Sequence, residues 1–281
     1  MNSHRHLLRS LITPAVFGMA CRGSEDEIKE QIHLSIHPHH RLLEYKDSQG
    51  KTMLQHASYC GQVGLVSFLL KMGANTQSRD SQGLQALHYA AAVGSVSTLD
   101  QLLSLDQSVN GRSNAGNTAL MCAVQFGHAK AVRFLLDQGA QTTLQNNRGQ
   151  SALEMAIVGD QCPLEVLDML LDDPDCRVEI MANGGRFLSL AALTDNVKKC
   201  EAMIRVLPKD YKFDTLDESD NPILRLAQRS QGYPRANELE IVQKIAQKFP
   251  KLLHFLYQEG LQTPISVKNR LHFLCQIVKA N

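Results

Sequence analysis

Through the middle of the chain, leucines and alanines recur in a fixed order, and polar stretches centred on glycine separate them. Leu54, Leu87, Leu120 and Leu153 are each followed three residues later by an alanine: Ala57, Ala90, Ala123 and Ala156. Each period then closes on a leucine pair: Leu69-Leu70, Leu102-Leu103, Leu135-Leu136 and Leu170-Leu171. Gly50, Gly83, Gly116 and Gly149 mark the same interval of thirty-three residues. The pattern predicts two short helices per period. Alanine stands where two helices must approach closely, and the leucine pair fills a stacked core. A unit this short cannot bury its own apolar face and becomes stable only against neighbours. The expectation is an all-α chain built as an extended surface, with binding as its work.

Local signals set the helix limits. Glycine at the turn supplies the positive φ that a tight reversal needs, and Asp47 or Asp80 before it can bond its own backbone two residues on. Thr52, Thr118 and Ser151 then cap the first helix by accepting from its orphan N–H groups. Gly61, Gly94 and Gly127 mark the turn between the helices. In register the units read DSQGKTMLQHASYCGQVGLVSFLLKMGAN from Asp47, DSQGLQALHYAAAVGSVSTLDQLL from Asp80, SNAGNTALMCAVQFGHAKAVRFLLDQGAQ from Ser113 and NNRGQSALEMAIVGDQCPLEVLDMLL from Asn146. This resembles the ankyrin repeat, whose pattern is a glycine-centred turn, T-P-L-H-x-A, a glycine turn and a helix ending in Leu-Leu-x-x-Gly-Ala. His88 alone keeps the motif's histidine, and none of the four units keeps its proline. The resemblance implies an ankyrin-repeat solenoid of stacked helix-turn-helix units with hairpin-like turns.

The pattern continues with drift. Asp160 replaces the turn glycine of the fourth unit, and two residues around Cys162-Pro163 lengthen its inter-helix loop. Gly184 follows Gly149 by the period plus that insertion, so a fifth unit is expected, with a helix near Arg186 to Leu193 and another near Val197 to Val206. A sixth is read from DESDNPILRLAQRS and ELEIVQKIAQKF, and a last partial unit from Glu259. Upstream, TPAVFGMACRGSEDEIKEQI from Thr13 has Pro14 at a helix start and acidic residues opening a second helix, as a cap would. The expected organisation is a capping repeat with a His-containing linker over residues 1–43, four consensus-like repeats over 44–180, and degenerate repeats with a C-terminal cap over 181–281.

Charge and cysteine usage narrow the partners. Lysine and arginine number 29 against 28 acidic residues, so no general pull on nucleic acid or anionic membrane is expected. No apolar run reaches the length of a membrane span. The opening HRHLLRSLITPAVFGMAC imitates a secretion signal or a lipid-attachment site at Cys21 only poorly, because Arg9, Ser10 and Pro14 interrupt the apolar stretch. Seven cysteines without C-x-x-C spacing, and no N-x-S/T sequon, fit a reducing compartment, so a cytoplasmic location is expected.

Candidate chemistry is sparse. His33, His37, His39 and His40 cluster in the linker, without the cysteines or helical spacing that would hold tetrahedral metal geometry. Cys60, Cys122, His56 and His88 are read as recurring at the same repeat phase, as packing or inner-surface positions, so no nucleophile pair is expected. A phosphate-binding G-x-x-x-x-G-K-[ST] is absent. The expectation is a non-enzymatic chain with no cofactor, no metal and no catalytic residue.

What the resemblance implies instead is a concave groove, formed by the turn tips and the exposed side of the first helices, that holds a folded protein or a peptide. Carried onto matching phases, the partner-binding residues are Lys51, Tyr59, Gln82, Leu84, Val93, Asn117, Gln125, Phe126, Arg148 and Gln150. Tyr59, Phe126 and Arg148 are the expected hot spots, because aromatics and arginine dominate interface energetics. The expected function is an adaptor, scaffold or inhibitor. Two alternatives stand beside it. One is a bacterial effector that engages a host protein in the host cytosol. The other is a substrate receptor of a ubiquitin ligase, suggested by the spacing of Leu271 and Cys275, which resembles a SOCS box but has Lys279 where that pattern wants an apolar residue.

Overall fold

The computed structural model describes residues 43–105, 108–213 and 236–249, together with Asp26, Pro222, Ile223, Leu226 and Gln276. The chain divides into two compact units, one reaching Ser151 and one starting at Ala152. The described residues form eleven helices and no strand. The expected capping unit from Thr13, the histidine cluster, most of DESDNPILRLAQRS, and the C-terminal segment with Leu271 and Cys275 lie outside the described residues.

The first unit holds three helix pairs. These are α1 (Met53–Tyr59) with α2 (Val63–Lys71), α3 (Ala86–Val93) with α4 (Val96–Leu103), and α5 (Ala119–Gln125) with α6 (Ala129–Asp137). The first helices stack as α1 on α3 on α5, and the second as α2 on α4 on α6. Ala57, Ala90 and Ala123 lie in the first layer with no exposed surface, which is what close helix approach demands. Of each leucine pair, the first member (Leu69, Leu102 or Leu135) is fully buried, whereas Leu70, Leu103 and Leu136 are half-buried. Thr52 and Thr118 cap as expected, with hydroxyls accepting from Gln55 N at 3.4 Å and Met121 N at 3.3 Å.

Between the pairs, each turn is a finger closed by its own hydrogen bonds and bonded to the next finger. Ser81 N donates to Gln49 O at 3.0 Å, Asn114 N to Gln82 O at 2.9 Å and Asn147 N to Ala115 O at 2.9 Å. The amides of Asn114 and Asn147 add bonds to Ser81 O and Asn114 O. Gly83 is required in this ladder twice over. Its φ is +72°, and a Cβ there would stand 2.7 Å from Asn114 N. A second ladder runs beside the first, with Lys46 donating to Arg79 O, Arg79 to Arg112 O and Arg112 to Gln145 O, each a thirty-three-residue step.

The second unit contains α7 (Ala152–Val158), α8 (Leu164–Asp172), α9 (Pro174–Leu193), α10 (Val197–Val206) and α11 (Ala236–Lys248). The helices expected near Arg186 to Leu193 and Val197 to Val206 are present as the end of α9 and as α10, and they pack together. Gly184, however, does not open a turn. It is buried inside α9 beside the kink at Asn183, and Gly185 N donates to the Tyr211 hydroxyl. A Cβ on Gly184 would stand 2.3 Å from Leu207, so close packing accounts for this glycine.

Helix ends in this unit are closed by lysines from far along the chain. Lys199, 3% exposed, donates to the carbonyls of Ala156, Ile157 and Gly159 at 2.8, 3.0 and 2.7 Å, placing its ammonium on the negative end of α7. Lys248 does the same for Ile204 and Arg205 at the end of α10. Burial lowers both ammonium pKa values.

His88 shows what the retained motif histidine does. Its Nδ1 accepts from Gln85 N at 3.2 Å, which leaves Nε2–H to donate to Asn117 O at 3.0 Å and link two repeats. Gln55 makes the same two kinds of bond one repeat earlier, accepting from Thr52 N and donating to Leu84 O. Burial holds the His88 pKa below the ordinary histidine value despite its bond to the Asn117 carbonyl. The unfolded chain therefore binds the proton first, and His88's contribution is lost as pH falls below the ordinary histidine range. Thermal melting followed by circular dichroism should show stability declining between about pH 7 and pH 5, with a shallower decline in His88→Gln. Equal slopes in the two proteins would contradict this role.

Candidate functional site

All ten expected partner-binding residues fall in the first unit. Asp47 and Asp80, at the bases of the first two fingers, build the site in the same way. One carboxylate oxygen of Asp47 accepts from Gln49 N and Lys51 N, both at 2.8 Å, and the other meets His56 Nε2 at 2.8 Å. One oxygen of Asp80 accepts from Gln82 N and Leu84 N, and the Tyr89 hydroxyl donates to the other. His56 and Tyr89 each stand nine residues after their aspartate and one turn into the first helix, so each finger is pinned to its own helix.

The electrostatics follow from this pinning. Burial alone would raise the Asp47 carboxyl, but the Lys51 N–H, the His56 side chain and the Gln49 N–H outweigh it and hold it below the usual carboxylate value. Burial, reinforced by the bond to Asp80, pushes the Tyr89 phenol upward. In the third finger Ser113 supplies only a hydroxyl, which accepts from Asn117 N at 3.2 Å. Cys122 stands at the phase of His56 and Tyr89 and is buried, with its thiol pushed up to about 12 by desolvation. A thiol held that far above neutrality is a packing group. Asn146 closes the fourth finger by accepting from Arg148 N and Gln150 N.

Above the pinned fingers lies an aromatic corner. Tyr59, 54% exposed, meets Tyr89 edge to face at 5.8 Å, and the Lys51 ammonium sits 5.6 and 5.0 Å from the two ring centroids. Val93 and Phe126 are exposed at one shared repeat phase, the position Cys60 fills in the first repeat, and Gln125 is exposed at the phase of Tyr59. Gln82 and Arg148 are exposed at finger tips, while Leu84 and Gln150 are half-buried. Asn117 is turned to the scaffold. Its side-chain oxygen accepts from Asn146, its carbonyl from His88, and its N–H meets Ser113.

Cys60, Cys122, His56 and His88 do not share one repeat phase as expected but occupy three, since only His56 and Cys122 stand a whole number of periods apart. No group of three or more potential metal-ligating side chains is found among the described residues. Sequence reasoning passed over Tyr89, although the recurring nine-residue interval from aspartate to His56 and to Tyr89 is visible in the chain.

Tyr89→Phe should cost roughly 1–3 kcal/mol, because it leaves the buried Asp80 carboxylate one donor short. Tyr59→Ala and Phe126→Ala, at exposed positions, should each stay within about 1 kcal/mol of the parent in urea unfolding. The reverse ranking would mean that Tyr59 and Phe126 are structural.

The family model "Ankyrin repeats (3 copies)" matches residues 17–113 and 87–182, which together span well over half of the chain. No curated protein matches the chain. Stacked helix pairs, fingers bonded at thirty-three-residue steps and the His88 bridge between repeats agree with that match, and the chain belongs to the ankyrin-repeat family, whose repeats generally serve in protein–protein interaction.

Proposed function

We propose that the chain is a non-enzymatic adaptor, scaffold or inhibitor, which grips a protein partner across the fingers and the first-helix face of residues 44–151. The observation that carries this reading is the exposure of two large aromatic side chains, Tyr59 and Phe126, each at 54%, at the C-terminal ends of helices whose other faces are packed. Aromatic rings standing in water on a rigid frame gain binding energy at little conformational cost. Lys51, Gln82, Leu84, Val93, Gln125, Arg148 and Gln150 surround them in this reading, and Asn117 holds the fingers in place. Residues 44–180 act as the consensus repeats. The working place is the cytoplasm, which suits the free Cys122, Cys162 and Cys200. No helix among the described residues is long and apolar enough to cross a membrane.

Affinity capture from cell extract tests this reading, with the intact chain compared with a Tyr59→Ala/Phe126→Ala variant whose fold is checked by circular dichroism. A protein retained by the intact chain and lost by the folded variant is the expected result. Retention of the same proteins by both would place binding elsewhere.

A further inference from the structure

The fingers spend their carboxylates internally and leave their cations outside. Asp47 and Asp80 are saturated by backbone N–H groups and by His56 and Tyr89. Lys46, Arg79, Arg112 and Arg148 are exposed, and Lys51 rests over two tyrosine rings. Among the described residues, none of these five cations pairs with a carboxylate. Among the described residues of this unit, the Asp47 carboxylate meets His56 Nε2 at 2.8 Å. A chain that is nearly neutral overall therefore presents a concentrated positive row along its fingers.

The row has a fixed spacing. Lys46, Arg79 and Arg112 each donate to the backbone carbonyl thirty-three residues on, so their side chains are held in register. Each step crosses one finger of two chain segments at about 4.8 Å apiece, and so measures about 10 Å, which agrees with helix pairs stacked about 8–10 Å apart. These carbonyl bonds use only part of the five-donor fork of Arg79 and Arg112, and the remaining N–H groups can take a carboxylate. A polypeptide in the polyproline II conformation advances about 3.1 Å per residue with three residues per turn, so every third side chain falls on one face, about 9 Å from the last.

We propose that the partner of this face is an acidic polypeptide segment in the extended polyproline II conformation, with carboxylates at every third residue, seated on the Lys46, Arg79 and Arg112 row with Lys51 and Arg148 flanking it. A nucleic acid fits less well. A strand carrying one charge per about 3.4 Å would leave most of its phosphates unmet by cations about 10 Å apart. The inference rests on the fingers and groove being the binding face, as proposed above.

The test is fluorescence anisotropy on the full chain, with a labelled Ser-Gly peptide of about thirteen residues bearing Glu at every third position, designed to the three-residue turn and about 3.1 Å rise of polyproline II. Controls are the Gln counterpart, an isomer with its glutamates contiguous, and an oligo-dT strand. The spaced Glu peptide should bind about tenfold more tightly than the Gln peptide and more tightly than the contiguous isomer, and should weaken as salt rises. Lys46→Gln/Arg79→Gln/Arg112→Gln should lose about tenfold, and Lys46→Arg/Arg79→Lys/Arg112→Lys should retain binding. Equal affinity for the Glu and Gln peptides, equal affinity for the two isomers, or a preference for oligo-dT would overturn the proposal. These comparisons need only the parent protein, so they decide the matter even where a triple variant fails to fold. If Tyr59→Ala/Phe126→Ala loses a captured protein while the parent ignores acidic peptides, the groove reading stands and this inference falls. If the spaced peptide binds while the aromatic variant keeps its partners, the groove reading falls and the cationic row remains a binding surface.

Discussion

Each finger hands a backbone hydrogen bond to the next, and the rest of the first unit is arranged around that requirement. A polar turn projecting from a helical stack has no packed core to hold it, and its backbone groups would otherwise be left to water. The bonds from Ser81, Asn114 and Asn147 to the preceding finger remove that freedom. They also fix the repeat length, because a donor displaced by one residue meets no acceptor. The glycine period is the visible trace of this constraint. At Gly83 a side chain would push directly into the Asn114 backbone that carries the ladder.

The same constraint shapes the electrostatics of the finger face. Holding a finger upright takes an acceptor at its base. Asp47 and Asp80 supply it, and their negative charge is taken up by N–H donors and by His56 and Tyr89. Holding neighbouring fingers together takes donors, and Lys46, Arg79 and Arg112 supply these while keeping their charge exposed. The two finger carboxylates are thus spent on bonds within the scaffold, and the cations are left on its surface. The face becomes basic through the mechanics of the fold, although the chain as a whole is close to neutral. The aromatic corner of Tyr59, Tyr89 and Lys51 sits where those two roles meet.

Much of this was legible in the chain because it is local. Thr52 and Thr118 cap helices two or three residues away, and the glycines answer to their own φ. The buried alanines and first leucines follow from helical periodicity alone. What could not be read is what depends on distant partners. Lys199 closes a helix about forty residues upstream, at Ala156, Ile157 and Gly159, and nothing near Lys199 in the sequence announces it. Gly184 kept the arithmetic of the repeat but serves the packing of Leu207 and Tyr211. In the site, Asn117 has the polarity of a binding residue, yet the adjoining finger engages its amide. Tyr89 owes its place to the Asp80 carboxylate, to which its hydroxyl donates.

The central claim is that the fingers form one bonded ladder and not a set of independent turns. Amide hydrogen exchange at single-residue resolution, by nuclear magnetic resonance on the full chain, addresses it directly through the N–H groups of Ser81, Asn114 and Asn147. The account predicts that these three amides exchange as slowly as those in the middle of α3 and α5, since opening one finger requires separating two repeats. Exchange at the rate of free turn tips, with the helices still protected, would contradict it.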